Sequence, residues 1–168
     1  MSFMFSLCES LKELNLSNFE TDKVINMEHM FQHCKSLINL NINNFKTNNV
    51  VRMGHMFYDC LSIKELDLSN FKTDKVENMK YMFHGCEDLK ELNISNFVFN
   101  NSNKVKNMFS NCSEELKNKI KEEHKNIKEN AFIDYEEDTC DDNYSHISSD
   151  FHNSQDLFFH DSFDSIDE

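Results

Sequence analysis

Five cysteines recur at a single interval. Cys8, Cys34, Cys60, Cys86 and Cys112 each stand 26 residues from the next, and Cys140 lies outside the series. A structural zinc site draws on Cys pairs a few residues apart, or on mixed Cys and His clusters, and one thiol per turn of sequence supplies neither. Free cysteine packs as a small hydrophobe, so the spacing predicts a buried ladder of thiols. A disulfide between neighbouring turns is open to an exported protein, although five ladder thiols cannot all pair with one another. His29 and His55 are equivalent by the same interval, with His33 and His84 nearby on the same outer face. Stacked imidazoles could bind a metal. No carboxylate or Cys completes a recurring set, so solvated surface is the expectation. Ser10, Ser36 and Ser62 also recur without a neighbouring base, and no Gly-rich phosphate loop occurs. These residues point away from an enzyme, and neither a cofactor nor a metal is expected.

What positions them is a repeat. Met53–Asn78 reads MGHMFYDCLSIKELDLSNFKTDKVEN, with near copies opening at Met27 and Met79. A fixed period of roughly 20–50 residues signals stacked repeats. Its second half is Leu-x-x-Leu-x-Leu: Leu11, Leu14 and Leu16, then Leu37, Leu40 and Ile42, then Ile63, Leu66 and Leu68, then Leu89, Leu92 and Ile94. Leu66 and Leu68 are two apart and share one side of a strand, with Asp67 on the other. In the first half, Val76, Met79, Met82, Phe83 and Cys86 fall three or four apart, which predicts one face of a helix. Thr73 stands as its N-cap and Asp74 in its first turn. Each repeat is therefore expected to hold one short strand and one short helix. Stacking joins the apolar columns into a continuous core. Phe31, Phe57 and Phe83 become an aromatic ladder, and Asn18, Asn44, Asn70 and Asn96 a polar one bonding backbone groups of the turns.

With these residues assembled, the chain resembles the BspA-like leucine-rich-repeat family in its 26-residue form, M-x-x-M-F-x-x-C-x-S-L-x-x-L-x-L-S-N-F-x-T-x-x-V, over roughly Met1–Cys112. The resemblance implies an α/β solenoid without catalytic residues. It also implies a role like that of the family's surface proteins and adhesins, which bind host proteins.

The chain has 168 residues, no Pro, two Gly and a net charge of −13. Of its 30 acidic residues, 12 lie in Ile133–Glu168 without a Lys or Arg, which leaves 18 acidic against 17 basic residues elsewhere. The expected organisation is a solenoid over 1–112, a C-terminal capping helix over 113–132 and an acidic tail over 133–168. Leu116, Ile120, His124, Ile127 and Ala131 form the apolar stripe of that helix. The tail's composition predicts disorder. Its Phe151, Leu157, Phe158, Phe159, Phe163 and Ile166 make a short binding motif a second reading beside a plain solubilising one. A nucleic-acid binder carries a basic patch, and none stands out. No run of roughly 18 apolar residues spans a membrane. MSFMFSLCESL has no basic n-region and reads poorly as a signal peptide, and Cys8 is in register with the ladder rather than a lipoprotein site. The expectation is either a protein retained in the cytoplasm or a fragment of a longer exported one.

The strand's outward columns, Glu13, Asn39, Glu65 and Glu91 beside Asn15, Asn41, Asp67 and Asn93, form the candidate contact surface. They suit a protein partner with a basic or amide-rich surface. Two functions follow: a non-catalytic binding module of the BspA-like kind, or an intracellular interaction scaffold with an acidic tail. Sequence leaves the partner's identity open.

Overall fold

The computed structural model describes residues 1–100 and 103–134. Cys140 and the tail from 135 onward lie outside the described residues, as do the expectations that fall on them.

Each Leu-x-Leu pair forms a three-residue strand: β1 is Glu13–Asn15, β2 Asn39–Asn41, β3 Glu65–Asp67 and β4 Glu91–Asn93. β1 pairs with β2 and β3 with β4, both parallel, with Leu14 opposite Leu40 and Leu66 opposite Leu92. The repeat period is thus the register of the stack. A second parallel line of bridges joins Asn26, Arg52, Asn78 and Lys104.

The helix expected in each repeat does not form. Met27–Cys34 and its equivalents are runs of tight turns, and α1 (Glu114–Glu123) is the one α-helix among the described residues. The reason lies in the backbone. His29, His33, His55, Asp59, Tyr81 and Asn107 take φ between 54° and 58°, which breaks a right-handed helix every four residues. His, Asn and Asp are the side chains that tolerate this region best after glycine, and Gly85 takes it at 69°. Alternate amides then face alternate ways. The N–H groups of Met30, Gln32 and Cys34 donate locally to the carbonyls of Met27, His29 and Phe31 at 3.4, 3.2 and 3.1 Å. Those of His29, Phe31 and His33 donate across to Gly54, Met56 and Tyr58 of the next repeat at 3.1, 2.9 and 2.8 Å. Apolar residues three and four apart still share one face, so the spacing mimics helical periodicity.

Thr73 is accordingly no N-cap. Thr21, Thr47 and Thr73 are buried and bridge to the following repeat. Thr47 Oγ1 donates to Lys72 O at 2.9 Å and accepts Lys72 N–H at 2.7 Å. The Asn ladder bonds turn backbone as expected: Asn70 Nδ2 reaches the carbonyls of Ile42, Asn43 and Phe45 at 3.2, 3.1 and 3.0 Å. Inside, Phe5, Phe31, Phe57, Phe83 and Phe109 stack at 5.4–5.7 Å.

At the C-terminal end, α1 starts at its N-cap Ser113, whose side chain accepts from Leu116 N–H. It buries Leu116, Lys117 and Ile120 and stops at His124, short of the expected boundary. A 3-10 turn, Glu129–Ala131, follows. The chain then lies along the last repeat. Asn107 and Phe109 N–H donate to Asn130 O and Ala131 O, both at 2.8 Å, and Phe132 stacks on Phe109 at 5.4 Å. Ile133 and Asp134, assigned above to the tail, belong to this closure. Asn107 Nδ2 donates to Ile133 O, and Asp134 holds both Asn111 N–H and the buried Lys117 ammonium.

Two substitutions separate apolar packing from the lateral bonds. Leu66→Ala in β3 should lower unfolding free energy by roughly 2–5 kcal/mol. Thr47→Val keeps the shape but leaves Lys72 N–H and C=O without their buried partner, and should cost about 1–3 kcal/mol by urea denaturation. Thr47→Ser should retain most of that stability.

Candidate functional site

The strand face gathers the eight predicted residues into two in-register columns. Glu13 lies opposite Asn39 and Glu65 opposite Glu91; Asn15 lies opposite Asn41 and Asp67 opposite Asn93. All are exposed except the half-buried Asn41. β2 and β3 belong to separate two-stranded sheets. An open groove of about 710 Å³ crosses this region, with half-buried Leu14 and Leu40 among its walls and Asn39, Asn41, Lys64 and Glu65 along it.

The two columns differ in their duties. Asn15, Asn41, Asp67 and Asn93 each accept, through Oδ1, the N–H two residues on: Ser17 at 3.0, Asn43 at 3.3, Ser69 at 2.9 and Ser95 at 3.2 Å. This is the turn device of Asn and Asp after a strand. The bond from Ser69 holds the Asp67 carboxyl below its ordinary range. The outer column is less tied to the backbone. Asn39 Nδ2 donates to Glu13 Oε1 at 2.9 Å, and Lys119 of α1 pairs with Glu91 at 2.6 Å. Glu65 forms no ion pair among the described residues.

Sequence reasoning overlooked a companion column. Lys12, Ile38, Lys64 and Lys90 precede the strands by one residue and are exposed. The acidic strip is therefore bordered by lysines, and the face is mixed in sign. The signal was present in the repeat, since these positions share the same 26-residue interval.

The turn runs form the second face. The histidines there are not solvated as expected. His84 is buried, and His29 and His55 are half-buried in a column of rings. His33 Nδ1 lies 3.2 Å from Asp59 Oδ2, and His84 Nδ1 lies 3.0 Å from Ser110 Oγ. Among the described residues, no three His, Cys, Asp or Glu are arranged to hold a metal.

The thiol ladder is buried from Cys34 to Cys112, with Cys8 half-buried, and all five are free. Each inner thiol donates back to a phenylalanine carbonyl: Cys34 to Phe5, Cys60 to Phe31, Cys86 to Phe57 and Cys112 to Phe83, at 3.1–3.2 Å. Phe31 O thus accepts both Cys34 N–H and Cys60 S–H, using both of its lone pairs. Burial pushes Cys34 and Cys112 up to about 12 and also raises Cys60 and Cys86 well above the ordinary thiol range. These four buried thiols are packing groups and hydrogen-bond donors held in the unreactive, protonated form. In the native protein at pH 8, iodoacetamide should leave Cys60 and Cys86 unmodified, as read by peptide mass, and alkylate them once urea unfolds the chain.

The geometry defines a protein of parallel-stacked 26-residue repeats, with one polar strand face and one ring-bearing turn face. Residues 1–122 match the family described as "Mycoplasma protein of unknown function, DUF285", and the chain belongs to that family. It is a repeat-domain family related to the BspA-like repeat proteins. No curated protein and no solved structure matches the chain. Among the described residues, no helix is long and apolar enough to cross a membrane.

Proposed function

We propose that this chain is a non-catalytic protein-binding repeat module, built as a leucine-rich-repeat-like solenoid and working as the BspA-like surface and adhesion repeats do. One observation carries the reading. Glu13, Asn39, Glu65 and Glu91 occupy one exposed column whose side chains are not needed by the turns that follow. Repeat proteins bind partners on such laddered surfaces. Neighbouring parallel strands place equivalent side chains about 4.8 Å apart, so the column presents its polar groups as a closely spaced row. The column's carboxylates and amide, bordered by Lys12, Lys64 and Lys90, suit a basic or amide-rich surface of a partner protein.

The test is a surface exchange. Glu65→Lys combined with Glu91→Lys and Asp67→Asn preserves the turn acceptor, because Asn already serves at the equivalent positions 15, 41 and 93. With that acceptor kept, loss of the exposed Glu91–Lys119 pair is a small surface effect, so the variant should melt within several °C of the parent. It should fail to retain the proteins that the immobilised parent retains from a surface extract, read by mass spectrometry. Unchanged retention by this variant, with loss in a Tyr58→Ala variant on the turn face, would overturn the assignment of the face.

A further inference from the structure

Two columns of side chains run side by side across the turn runs. Phe3, His29, His55 and Tyr81 stack with ring centroids 4.4, 4.6 and 4.9 Å apart. In the adjoining column Tyr58 stacks on His84 at 4.5 Å, and His55 leans on Tyr58 at 5.5 Å. His55 is thus packed from three sides. Its own turn brings Tyr58 and Asp59, the preceding repeat Glu28, His29 and His33, and the following repeat Lys80, Tyr81 and His84.

The carboxylates of this set are engaged elsewhere. Asp59 faces His33 at 3.2 Å. Glu28 accepts from the Nδ2 groups of Asn26 and Asn78 at 3.3 and 2.8 Å. Around His55 stand Lys80 and three further imidazoles, and the carboxylates of Asp59 and Glu28 are turned to other partners. Burial, reinforced by His29, His84, Lys80 and His33, pushes His55 down to about 3. Burial also lowers His29, against its bond to Gln32 at 2.9 Å and the pull of Glu28, and His84, against the pull of Asp59 and Asp134.

We propose that this ring stack is an acid-sensitive seam between repeats: below about pH 6.5, His29, His55 and His84 accept protons only where neighbouring repeats part along the turn runs, so acid favours the parted state. The groups that would gain charge belong to the residues that hold the repeats together. His29 N–H donates to Gly54 O at 3.1 Å and His55 N–H to Lys80 O at 2.9 Å. The unfolded chain takes up these protons near pH 6.5, while the folded chain resists them. The unfolded state then binds more protons, so stability is full above that pH and falls as pH drops through it. Each such histidine raises the unfolding constant by up to tenfold per pH unit. The lowered carboxyls, Asp67 and Asp134, act in the same direction but below about pH 4. The interval above that belongs to the histidines.

The experiment is urea unfolding of the full chain at pH 7 and pH 5, beside two variants. His29→Phe with His55→Tyr installs rings that the column already carries at Phe3 and Tyr81, both at positive φ. His55→Asn installs the residue found at Asn107 in the same column, φ 56°. The parent's unfolding constant should rise more than tenfold on acidification, and either variant should lose at least about tenfold of that response. A folded variant that keeps the parent's full response overturns the proposal. Two measurements need no variant. In the native parent, the His55 ring proton should show no titration by NMR down to pH 5; a native midpoint above pH 5 overturns the proposal. Amide protection at His55, Phe57 and Asp59 should fall on acidification ahead of that at Leu66 and Leu92, and a uniform fall overturns the seam.

Discussion

The lateral hydrogen bond between repeats is the constraint on which the rest of this molecule depends. A run of tight turns cannot satisfy its own backbone: half its amides point away from the turn, and a buried amide without a partner costs free energy comparable to a lost bond. Here they reach the carbonyl 25 residues further on, repeat after repeat. Inserting or deleting one residue would misalign every such bond at once, and with them the strand register. The 26-residue period is therefore a hydrogen-bonding requirement as much as a packing one. The side chains obey the same rule. Thr47 supplies a donor and an acceptor where the backbone of Lys72 lacks both, Asn70 gathers three carbonyls, and Cys60 takes the second lone pair of Phe31 O. Conspicuous as they are, the repeated polar residues and thiols are mostly fastenings of the lattice.

A lattice of this kind must end somewhere, and the C-terminal end shows how. The last turn run points its amides toward a repeat that is not there. Asn130–Asp134 takes its place with two backbone carbonyls and the Asp134 carboxylate, and Phe132 extends the phenylalanine stack by one ring. The segment has no 26-residue motif, yet it reproduces what the lattice needs: acceptors at the right spacing and one aromatic ring. Lys117, buried on α1 and held by Asp134 and Glu114, ties the helix to this closure.

Much of this was legible in the sequence, and the part that was not is instructive. Period 26, the strands at Leu14, Leu40, Leu66 and Leu92, the buried thiols, the phenylalanine ladder and the asparagine ladder all follow from equivalent residues occupying equivalent places. The helix failed because apolar spacing of three and four residues reports which side chains share a face, not how the backbone between them turns. The deciding evidence was in the intervening positions. A column holding His33, Asp59, Gly85 and Asn111 is a column of residues at ease with positive φ, and a helix has no use for it. Thr73 misled for a related reason: a threonine before an apolar run suits an N-cap and a lateral bridge equally, and only the neighbouring repeat distinguishes them.

The same distinction decides where binding is to be sought. A column can be turned to a partner only if the fold does not already hold it. By that criterion the predicted surface divides. Asn15, Asn41, Asp67 and Asn93 share an amide-accepting duty, which is why they are uniformly Asn or Asp. Glu13, Asn39, Glu65 and Glu91 carry no such turn duty while remaining exposed, and the neighbouring exposed column Lys12, Ile38, Lys64 and Lys90 passes from cation to aliphatic and back. Variation within a column of an otherwise strict repeat means that the lattice is indifferent there. Indifference of the fold is what leaves a surface available to a partner, and the groove past Leu14 and Leu40 runs beside these two columns. On the turn face, the ring column varies too, from Phe3 through His29 and His55 to Tyr81, but always within side chains that stack at positive φ. Its freedom is over protonation rather than shape, which is the opposite of the strand face, where charge and shape both change from repeat to repeat.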